Sequence, residues 1–401
     1  MKLAFQRWID RHVGSLICRL LSALPSRKRP SHHTPRKILV ILLSEMGSLV
    51  LAYPMFRRLQ EKYPEASLYV LLFDQNKEVL ELLDILPGHH MLTLRNNSFL
   101  NFATDSLTAL RAIRRLKIDT VIDCELFARI SSIFSRLSGA SLRVGFHPYR
   151  QEGLYRGAYI NRPIPYNPYH HISKQFLAMA ESIESNDDPP VKRLLDEGSS
   201  EKPAFLPFAS EVDKLRERLR SDFPDMEKRR LLLIYPSGGI LPIRAWPVNN
   251  FADLARRFAG EGYAVAVIGL PQDKSIAREI IDFGGSDYIA DFTGYTRSIR
   301  ELLTLFTLSS LLVTNDGGPG QFAALTKIPT IILFGPETPA LYGSLSDRAI
   351  FLHRPLPCSP CLTAYNHRNS PCNGDNQCLK QIGAEEVYRE ARRLLATEEG
   401  N

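Results

Sequence analysis

Three loops in the second half of the chain carry residue types that proteins use to hold phosphate groups. Residues 236–239 read PSGG and lead to Arg244, residues 269–273 read GLPQD, and residues 315–321 read NDGGPGQ. Glycine lets backbone N–H groups approach an anion closely, and a guanidinium suits bidentate contact with phosphate. Each loop alone is also typical of an ordinary strand-to-helix turn. Together they predict a site for a nucleotide diphosphate.

The elements that would position these loops alternate between strands and helices. Short apolar, β-branched runs predict buried parallel strands, and amphipathic stretches between them predict helices. Strands are predicted at 38–43, 67–73, 91–94, 120–123, 143–146, 231–235, 264–269, 291–294, 311–313 and 329–334. Helices are predicted at 49–62, 76–86, 102–117, 126–138, 248–261, 275–283, 298–309 and 321–326. This order predicts α/β architecture with doubly wound parallel sheets and ligands outside the carboxyl ends of the strands.

The strand and helix pattern divides the chain into two such domains. We expect a helix and linker at 1–36, an N-terminal domain at 37–185, a linker at 186–228 and a C-terminal ligand-binding domain at 229–401. The C-terminal domain includes a cysteine-rich loop at 353–380. Two facing domains would place the ligand in the cleft between them.

Residues 1–25 predict a basic amphipathic helix. Its apolar residues recur at spacings of mostly three and four, which places them on one stripe: Phe5, Trp8, Ile9, Val13, Leu16, Ile17, Leu20, Leu21 and Leu24. The basic residues lie largely off that stripe: Lys2, Arg7, Arg11, His12 and Arg19, followed by Arg27, Lys28 and Arg29. This pattern favours contact of residues 1–30 with an anionic membrane surface. The alternative is a helix packed on the protein's own body or on a partner.

Composition narrows the classes of partner and compartment. The net charge of +7 favours anionic partners, but the chain has no arginine-rich arm, zinc-finger repeat or aromatic-basic RNA signature, so we expect no nucleic acid. No run of about 18 uncharged apolar residues predicts a transmembrane helix. Charged residues interrupt the N-terminal apolar run, which argues against a signal peptide. Cys124, at a predicted strand end, favours a reducing compartment.

Four motifs in order carry a family resemblance. They are KILVI-x-LS-x-x-GS at 37–48, R-x-WP at 244–247, G-x-P-x-D at 269–273, and TNDGGPGQFAAL with LFGP within 314–336. The chain resembles glycosyltransferase family 9, the ADP-heptose:lipopolysaccharide heptosyltransferase-like family, from about residue 37 to 385. The resemblance implies a GT-B fold and an inverting, metal-independent transfer of a sugar, such as heptose. The implied donor is a nucleotide-sugar bound by the C-terminal domain, and the implied acceptor is a lipid-linked glycan such as lipopolysaccharide core.

The resemblance also assigns roles to residues of the three loops. At the donor it places Ser237, Gly238, Gln272, Asp273, Asp316, Gly317, Gly318 and Gln321. Arg244 stands where the family usually has a lysine that neutralises the leaving phosphate, and both are cations. Gln321 stands where histidine is common and can still donate a hydrogen bond. Gln272 falls where a glutamate binds the ribose hydroxyls.

Ser48 is the important departure from the family pattern, because an aspartate there commonly serves as the general base. Serine lacks basicity at neutral pH, and an inverting transfer needs a base opposite the leaving nucleotide. Glu45 lies three residues upstream in the same loop, and Glu125 follows the strand at 120–123. Either could replace the aspartate, and each could equally be a solvated or structural carboxylate. A degenerate, non-catalytic sugar-nucleotide or glycan-binding protein is the alternative function.

The last candidate site is a group of cysteines. Cys358, Cys361, Cys372 and Cys378 crowd into one segment, with His353 and His367 nearby, and four thiolates fit a structural zinc ion. Reduced structural cysteines, or two disulfides in an exported chain, are the alternatives.

Residues 147–171 are aromatic and basic, and they would line the acceptor side or simply pack over a sheet edge. They include Arg150 and Arg156, which could meet acceptor phosphates. The function we expect is a cytoplasmic glycosyltransferase that is peripheral on the inner membrane.

Overall fold

The computed structural model describes residues 3–25, 30, 33–43, 45–126, 128–146, 155–192, 194–195, 202–363 and 368–399. The chain forms two compact units. Unit 1 contains residues 1–201 together with the short segment Thr363–Arg368, and unit 2 contains Lys202–Leu362 and Asn369–Asn401. Each unit is built around its own parallel sheet, so the doubly wound α/β prediction is confirmed.

Unit 1 has a six-stranded parallel sheet in the order β3-β2-β1-β4-β5-β6. Its strands are β1 (Lys37–Ile41), β2 (Ser67–Phe73), β3 (Met91–Leu94), β4 (Thr120–Asp123), β5 (Leu142–Phe146) and β6 (Arg162–Ile164). The central strands are almost continuously apolar because helices cover both faces of the sheet, and Leu39, Val121 and Leu71 are fully buried. The order reverses beside β1, where the chain first builds toward β3 and then returns through β4.

The helices of unit 1 follow the strands closely. They are α3 (Met46–Leu51), α4 (Tyr53–Lys62), α5 (Lys77–Leu82), α6 (Phe99–Leu116), α7 (Arg129–Leu137) and α8 (Ile172–Glu181). The N-terminal residues form α1 (Leu3–Ile9), a π turn (Asp10–Gly14) and α2 (Ser15–Ala23) before β1. None of the helices in the described part of the chain is long and apolar enough to cross a bilayer.

The N-terminal helix is clamped onto unit 1. Cys18 is fully buried and packs in a cluster with Ile133 of α7 and Tyr159. One carboxylate oxygen of Asp10 accepts hydrogen bonds from the backbone N–H groups of Arg129 (2.8 Å) and Ile130 (3.2 Å). Asp10 therefore caps the first turn of α7, which has no cap from its own N-cap residue.

The predicted apolar stripe of this helix is partly packed on unit 1 and partly exposed. Cys18 is on the face that packs against α7, with Ile17 and Leu21 against the same cluster. A second face remains exposed and carries Phe5, Trp8, Val13, Leu16, Leu20 and Leu24. The helix packs on the protein's own body, as the alternative interpretation expected. It also presents an exposed apolar surface, which the membrane interpretation requires.

Unit 2 repeats the architecture with a sheet in the order β12-β11-β10-β7-β8-β9. Its strands are β7 (Leu231–Tyr235), β8 (Ala264–Gly269), β9 (Ile289–Thr293), β10 (Leu311–Asn315), β11 (Thr330–Phe334) and β12 (Ala349–His353). Its helices are α9 (Ala209–Asp222), α10 (Val248–Gly260), α11 (Lys274–Gly284), α12 (Ile299–Thr307), α13 (Gly318–Phe322), α14 (Pro339–Tyr342), α15 (Gln377–Lys380) and α16 (Ala384–Glu399). The order reverses beside β7, which lies between β8 and β10.

Several elements differ from the sequence-based prediction. Helix α9 lies in the stretch expected to be a linker. It is mostly polar and buries only Leu215, so its sequence shows no apolar stripe that would predict a helix. Strand β6 has three residues including a proline, which gives no strand signal but suits the edge of a sheet. The helix after β10 begins at Gly318, earlier than the predicted residue 321, and ends in a 3₁₀ turn at Ala323–Leu325. It is therefore too short to carry a large dipole.

Candidate functional site

The loops after β7 and β10 meet where the strand order of unit 2 reverses, and the side chain of Asn315 joins them. Its Nδ2 donates to the carbonyl oxygens of Pro236 (2.8 Å) and Ser237 (3.3 Å), and its Oδ1 accepts from the N–H of Trp246 (3.0 Å). Asn315 is fully buried, so it has no access to water. In open α/β sheets ligands bind at such a reversal point, outside the carboxyl ends of the strands. Asn315 thus fixes the frame of the candidate site.

Two glycines in these loops differ in the space that a side chain would meet. A Cβ atom at Gly238 would lie 2.7 Å from the carbonyl oxygen of Leu241, so the turn itself excludes a side chain. A Cβ atom at Gly317 would meet no atom closer than 3.9 Å, so the protein's own packing leaves that side open. The open side at Gly317 lets a ligand approach the backbone closely.

Arg244 is the cation of the site, and two carboxylates surround it. Its Nη2 donates to Oε2 of Glu337, and its Nε lies 3.6 Å from Oδ2 of Asp316. The exposed fractions of the three side chains are 12% for Arg244, 8% for Asp316 and 2% for Glu337. The three residues come from the loops after β7, β10 and β11, so the strand order of the sheet brings them together.

Burial and charge set the protonation of this cluster. Burial raises the pKa of Glu337 well above its usual range, Arg244 acts in the opposite direction, and the Asp316 carboxylate raises it further. Burial lowers the pKa of Arg244, but Glu337 and Asp316 outweigh burial and leave that pKa above its ordinary value. Arg244 is therefore charged, whereas Glu337 favours its neutral form more than an ordinary glutamate does.

The same cluster holds polar atoms that the described protein leaves without a hydrogen bond. They are Nε of Arg244, Oδ2 of Asp316 and Oε1 of Gln321, all buried. The other amide atom of Gln321, Nε2, donates to the carbonyl oxygen of Tyr342 at 2.7 Å. Nε of Arg244 and Oδ2 of Asp316 face each other at 3.6 Å, which is an ion pair but too long for a hydrogen bond. Buried polar atoms normally make hydrogen bonds, so this group indicates a site that can take a polar ligand.

The third predicted loop contributes differently. Oδ2 of Asp273 accepts from the N–H of Leu270 at 2.8 Å, so this buried carboxylate caps its own turn after β8. Gln272, beside it, is exposed. Contact of either residue with a ribose stays a prediction.

In unit 1 the two candidate bases have contrasting surroundings. Glu45 has a positive φ of 57°, which is strained for a residue with a side chain, and its carboxylate pairs with Arg368 of the same unit. Glu125 is 3% exposed, and its Oε1 accepts from the N–H of Leu43 at 2.7 Å. Glu125 thus holds the end of β1, while Glu45 keeps an exposed carboxylate in a strained loop. Ser48 lies within α3.

The aromatic-basic segment only partly reaches the described structure, since residues 147–154, with Arg150, lie outside it. Arg156 is 3% exposed and donates to Asp123, to Ser131 (2.7 Å) and to the carbonyl oxygen of Ala128 (2.9 Å). Its guanidinium is therefore engaged inside unit 1, which does not match our expectation that it meets an acceptor phosphate.

The zinc prediction finds no support in the described part of the chain. There, no three histidine, cysteine or acidic side chains lie close enough to hold a metal ion. None of the four cysteines forms a disulfide in the described part of the chain: Cys358 and Cys372 are exposed, Cys361 is half-buried and Cys378 is buried. His367 lies outside the described residues. The residues present do not fit a tetrahedral site.

Comparison with known proteins identifies the family. The sequence profile described as Glycosyltransferase family 9 (heptosyltransferase) matches residues 107–370, which is more than half of the chain and includes the whole Arg244 cluster. The chain belongs to glycosyltransferase family 9. It is therefore a glycosyltransferase, as the four motifs predicted.

Individual relatives of this family 9 glycosyltransferase are distant but similar over nearly their whole length. Lipopolysaccharide heptosyltransferase 2 of Salmonella typhimurium is 24% identical over 376 residues, covering 90% of this chain and 99% of the relative. Lipopolysaccharide heptosyltransferase 3 of Escherichia coli is 21% identical over 357 residues, covering 87% and 95% respectively.

Solved structures confirm the GT-B fold of the family 9 chain. The E. coli ADP-heptose lps heptosyltransferase II has a TM-score of 0.69 at 20% identity, covering 90% of this chain and 99% of that one. The E. coli heptosyltransferase WaaC with ADP has a TM-score of 0.62 at 14% identity, covering 89% and 99%. At 20% and 14% sequence identity, this structural similarity establishes the fold.

Sequence reasoning missed two residues of this glycosyltransferase site. Glu337 directly follows the LFGP motif, but nothing in its local pattern relates it to Arg244, which lies 93 positions earlier. Asn315 was seen only as part of a turn, whereas it ends β10 and organises the neighbouring loop. A buried polar residue at a strand end beside glycines was the available signal for Asn315.

Proposed function

We propose that this glycosyltransferase transfers a heptose from an ADP-heptose donor to a lipid-linked glycan acceptor of the lipopolysaccharide-core type, with inversion at the transferred carbon. The named relatives support the sugar and the acceptor, since they are lipopolysaccharide heptosyltransferases over nearly the full length of the match. The observation that carries the donor site is the Arg244 cluster, which places a cation and buried polar atoms without a hydrogen bond at the strand-order reversal of unit 2.

On the donor side, Arg244 neutralises the diphosphate as it leaves. The guanidinium is buried, so its charge acts at low effective dielectric on the oxygen where negative charge develops. The amides of Gly317 and Gly318 and the loop at Ser237 and Gly238 add N–H groups to the phosphates. No metal ion is needed in this scheme, because Arg244 supplies the positive charge.

On the acceptor side, Glu45 is the base that takes the hydroxyl proton. Its strained backbone and its exposed carboxylate favour it over Glu125, whose carboxylate is committed to the N–H of Leu43. Arg368 donates to the carboxylate of Glu45 and holds it in place. The alternative function, a protein that binds sugar nucleotides or glycans without turnover, rests on Ser48 in place of the family aspartate.

We further propose that residues 1–30 contact the cytoplasmic face of the inner membrane. The exposed apolar face of the N-terminal helix carries Trp8, Leu16 and Leu20, and Arg7, Arg11 and Arg19 are exposed beside it. Aromatic and aliphatic residues flanked by arginine suit the headgroup region of anionic lipids. Replacing these three apolar residues by serine should release the full chain from anionic liposomes, and unchanged binding would refute this contact.

The function is tested with the purified full chain, nucleotide-sugars and a lipid-linked acceptor. We expect ADP release with ADP-heptose, faster with acceptor, and little release with UDP-, GDP- or CMP-sugars. Glu45→Gln should lower the transfer rate by about 10²–10⁴-fold with donor binding retained, because only the base is lost. Binding without release from any donor would favour the non-catalytic alternative, and full activity of Glu45→Gln would exclude Glu45 as the base.

A further inference from the structure

Glu337 sits against the one residue of the site that must meet the donor's negative charge. Its carboxylate accepts from Nη2 of Arg244, and Asp316 lies on the Nε side of the same guanidinium, 3.6 Å away. One guanidinium, 12% exposed, is thus shared by two buried carboxyl groups in unit 2. The positive charge that should attract a diphosphate is already neutralised within the protein.

A diphosphate cannot simply add to this arrangement. Where Glu337 is ionised, bringing the charges of the diphosphate beside its carboxylate in a buried site would place like charges close together at low effective dielectric. Moving the carboxylate of Glu337 to water is equally unfavourable, because its loop holds it at 2% exposure. The remaining way to accommodate the ligand is to neutralise a carboxylate where it stands.

We propose that Glu337 is the resident counter-anion of Arg244: it holds the guanidinium in place before the donor binds, gives it up to the donor diphosphate, and takes up a proton from solvent as it does so. Glu337 is then a positioning residue rather than a catalytic one. The proposal rests on the proposed function, because it takes the ligand to be a nucleoside diphosphate.

The environment of Glu337 favours this exchange. Among the described residues, Asp316 and Tyr342 are titratable groups that act on this cluster, and Arg244 is the cation that faces Glu337. Once the phosphates draw Arg244 away, burial and Asp316 both favour the neutral acid, which is the direction in which the pKa of Glu337 is already shifted. The balance is one proton taken up per diphosphate bound, with no covalent step.

The test measures ADP binding by calorimetry from about pH 6 to about pH 9 in buffers of different ionisation enthalpy. For the native protein, above the pKa that Glu337 has in the empty site, we expect uptake of about one proton and a Kd that rises up to ~10-fold per pH unit. Glu337→Gln keeps an amide oxygen for Arg244 but cannot titrate. It should bind ADP as tightly as the native protein at the acid end, take up no extra proton, and keep that affinity as pH rises.

The proton uptake of the native protein is compared with that of Glu337→Gln and of a control variant. Ionisation of ADP itself is common to the native protein and Glu337→Gln, so it cancels when their proton uptakes are subtracted. The control variant is Glu385→Gln, at an exposed glutamate paired with Arg257, and it should take up as many protons as the native protein. Equal proton uptake in the native protein and Glu337→Gln would overturn the proposal, as would loss of the uptake in Asp316→Asn alone. If the variant is unstable, absence of proton uptake by the native protein overturns it without any variant. Tight ADP binding with no proton linkage would leave the proposed function intact, whereas no binding of any nucleoside diphosphate would remove both.

Discussion

The two sheets reverse their strand order in the same way, but the two reversal points differ in what their polar groups do. In each unit, a side chain at the end of the fourth strand holds the loop after the first strand: Glu125 accepts from the N–H of Leu43 in unit 1, and Asn315 donates to Pro236 and Ser237 in unit 2. In unit 1 the neighbouring charges are paired with each other, as Asp123 is with Arg156. In unit 2, Arg244, Asp316 and Gln321 each keep a buried atom without a hydrogen bond, and Nε of Arg244 and Oδ2 of Asp316 face each other only as an ion pair at 3.6 Å. Unit 1 has one such atom beside its reversal point among the described residues, Oδ1 of Asn76, whose Nδ2 donates to the carbonyl oxygen of Leu43.

This difference separates structural polar groups from groups that await a ligand. Buried charges with protein partners should contribute mainly to stability, and their loss leaves an uncompensated charge. Buried polar atoms that lack a hydrogen bond cost free energy on folding, and a ligand that supplies the missing hydrogen bond would recover that cost as binding energy. Substitutions at the unit 1 reversal point should therefore change the free energy of unfolding, and those at the unit 2 point should change donor binding and transfer.

The largest effect is expected at Arg156. Arg156→Ala should lower the free energy of unfolding by about 3–5 kcal/mol, because Asp123 would remain buried without its cation. Chemical denaturation of the full chain, followed by far-UV circular dichroism, measures this. Lys77→Ala, which breaks an exposed ion pair with Glu81, is the control and should change stability by no more than ~0.5 kcal/mol. A similarly small change for Arg156→Ala would contradict a structural role.

Arg244 should show the opposite profile. Arg244→Ala should reduce transfer about 10²–10³-fold, as expected for removal of a group that stabilises developing negative charge. Removing Arg244 also leaves Glu337 without its cation, so a melting curve is needed to separate a loss of stability from the specific loss of transfer. Steady-state rates together with a melting curve test this. If Arg244→Ala lowers the melting temperature but the folded variant transfers sugar at the native rate, Arg244 has a structural role like that of Arg156.

Substitution of Asn315 should change both stability and donor binding. Asn315 belongs to the unit 2 reversal point, but its side chain makes hydrogen bonds to the protein. Asn315→Leu fills a similar volume and removes three hydrogen bonds, which leaves the N–H of Trp246 and the carbonyl oxygens of Pro236 and Ser237 without that partner. We expect a loss of about 1–3 kcal/mol in unfolding free energy, together with weaker donor binding. If both quantities are unchanged, Asn315 does not hold the frame of the site.

The smallest effect is expected at Gly317. Gly317→Ala adds a methyl group to the open side of the turn, where the nearest atom is 3.9 Å away, and its extended backbone suits alanine. Stability should stay the same or rise slightly, whereas ADP should bind about 10-fold more weakly if phosphate approaches that side. Gly88→Ala, at a glycine in unit 1 with open space around it, is the matched control. Unchanged ADP affinity would move the phosphates away from Gly317.

Much of the fold follows from local pattern, and most of the site does not. Strands such as β2 and β8 were predicted with their observed bounds, because runs of β-branched and large apolar residues between turns specify a buried strand. Helix α9 escaped prediction because it is mostly polar along its length. The family motif indicated Asp316 and the adjacent glycines, but the approach of Glu337 to Arg244 depends on strand order, which single-sequence periodicity does not encode.

The capping contact of Asp10 has a consequence for how the enzyme would meet a membrane. An anchor joined by a loose linker only keeps a protein near the lipid, and the attached body can still tumble. Here the helix shares a buried cluster and a helix cap with unit 1, so its exposed apolar face points in one fixed direction relative to that sheet. If the helix contacts lipid as proposed, this rigid attachment would fix the angle between unit 1 and the lipid surface, and with it the height of Glu45 above the headgroups.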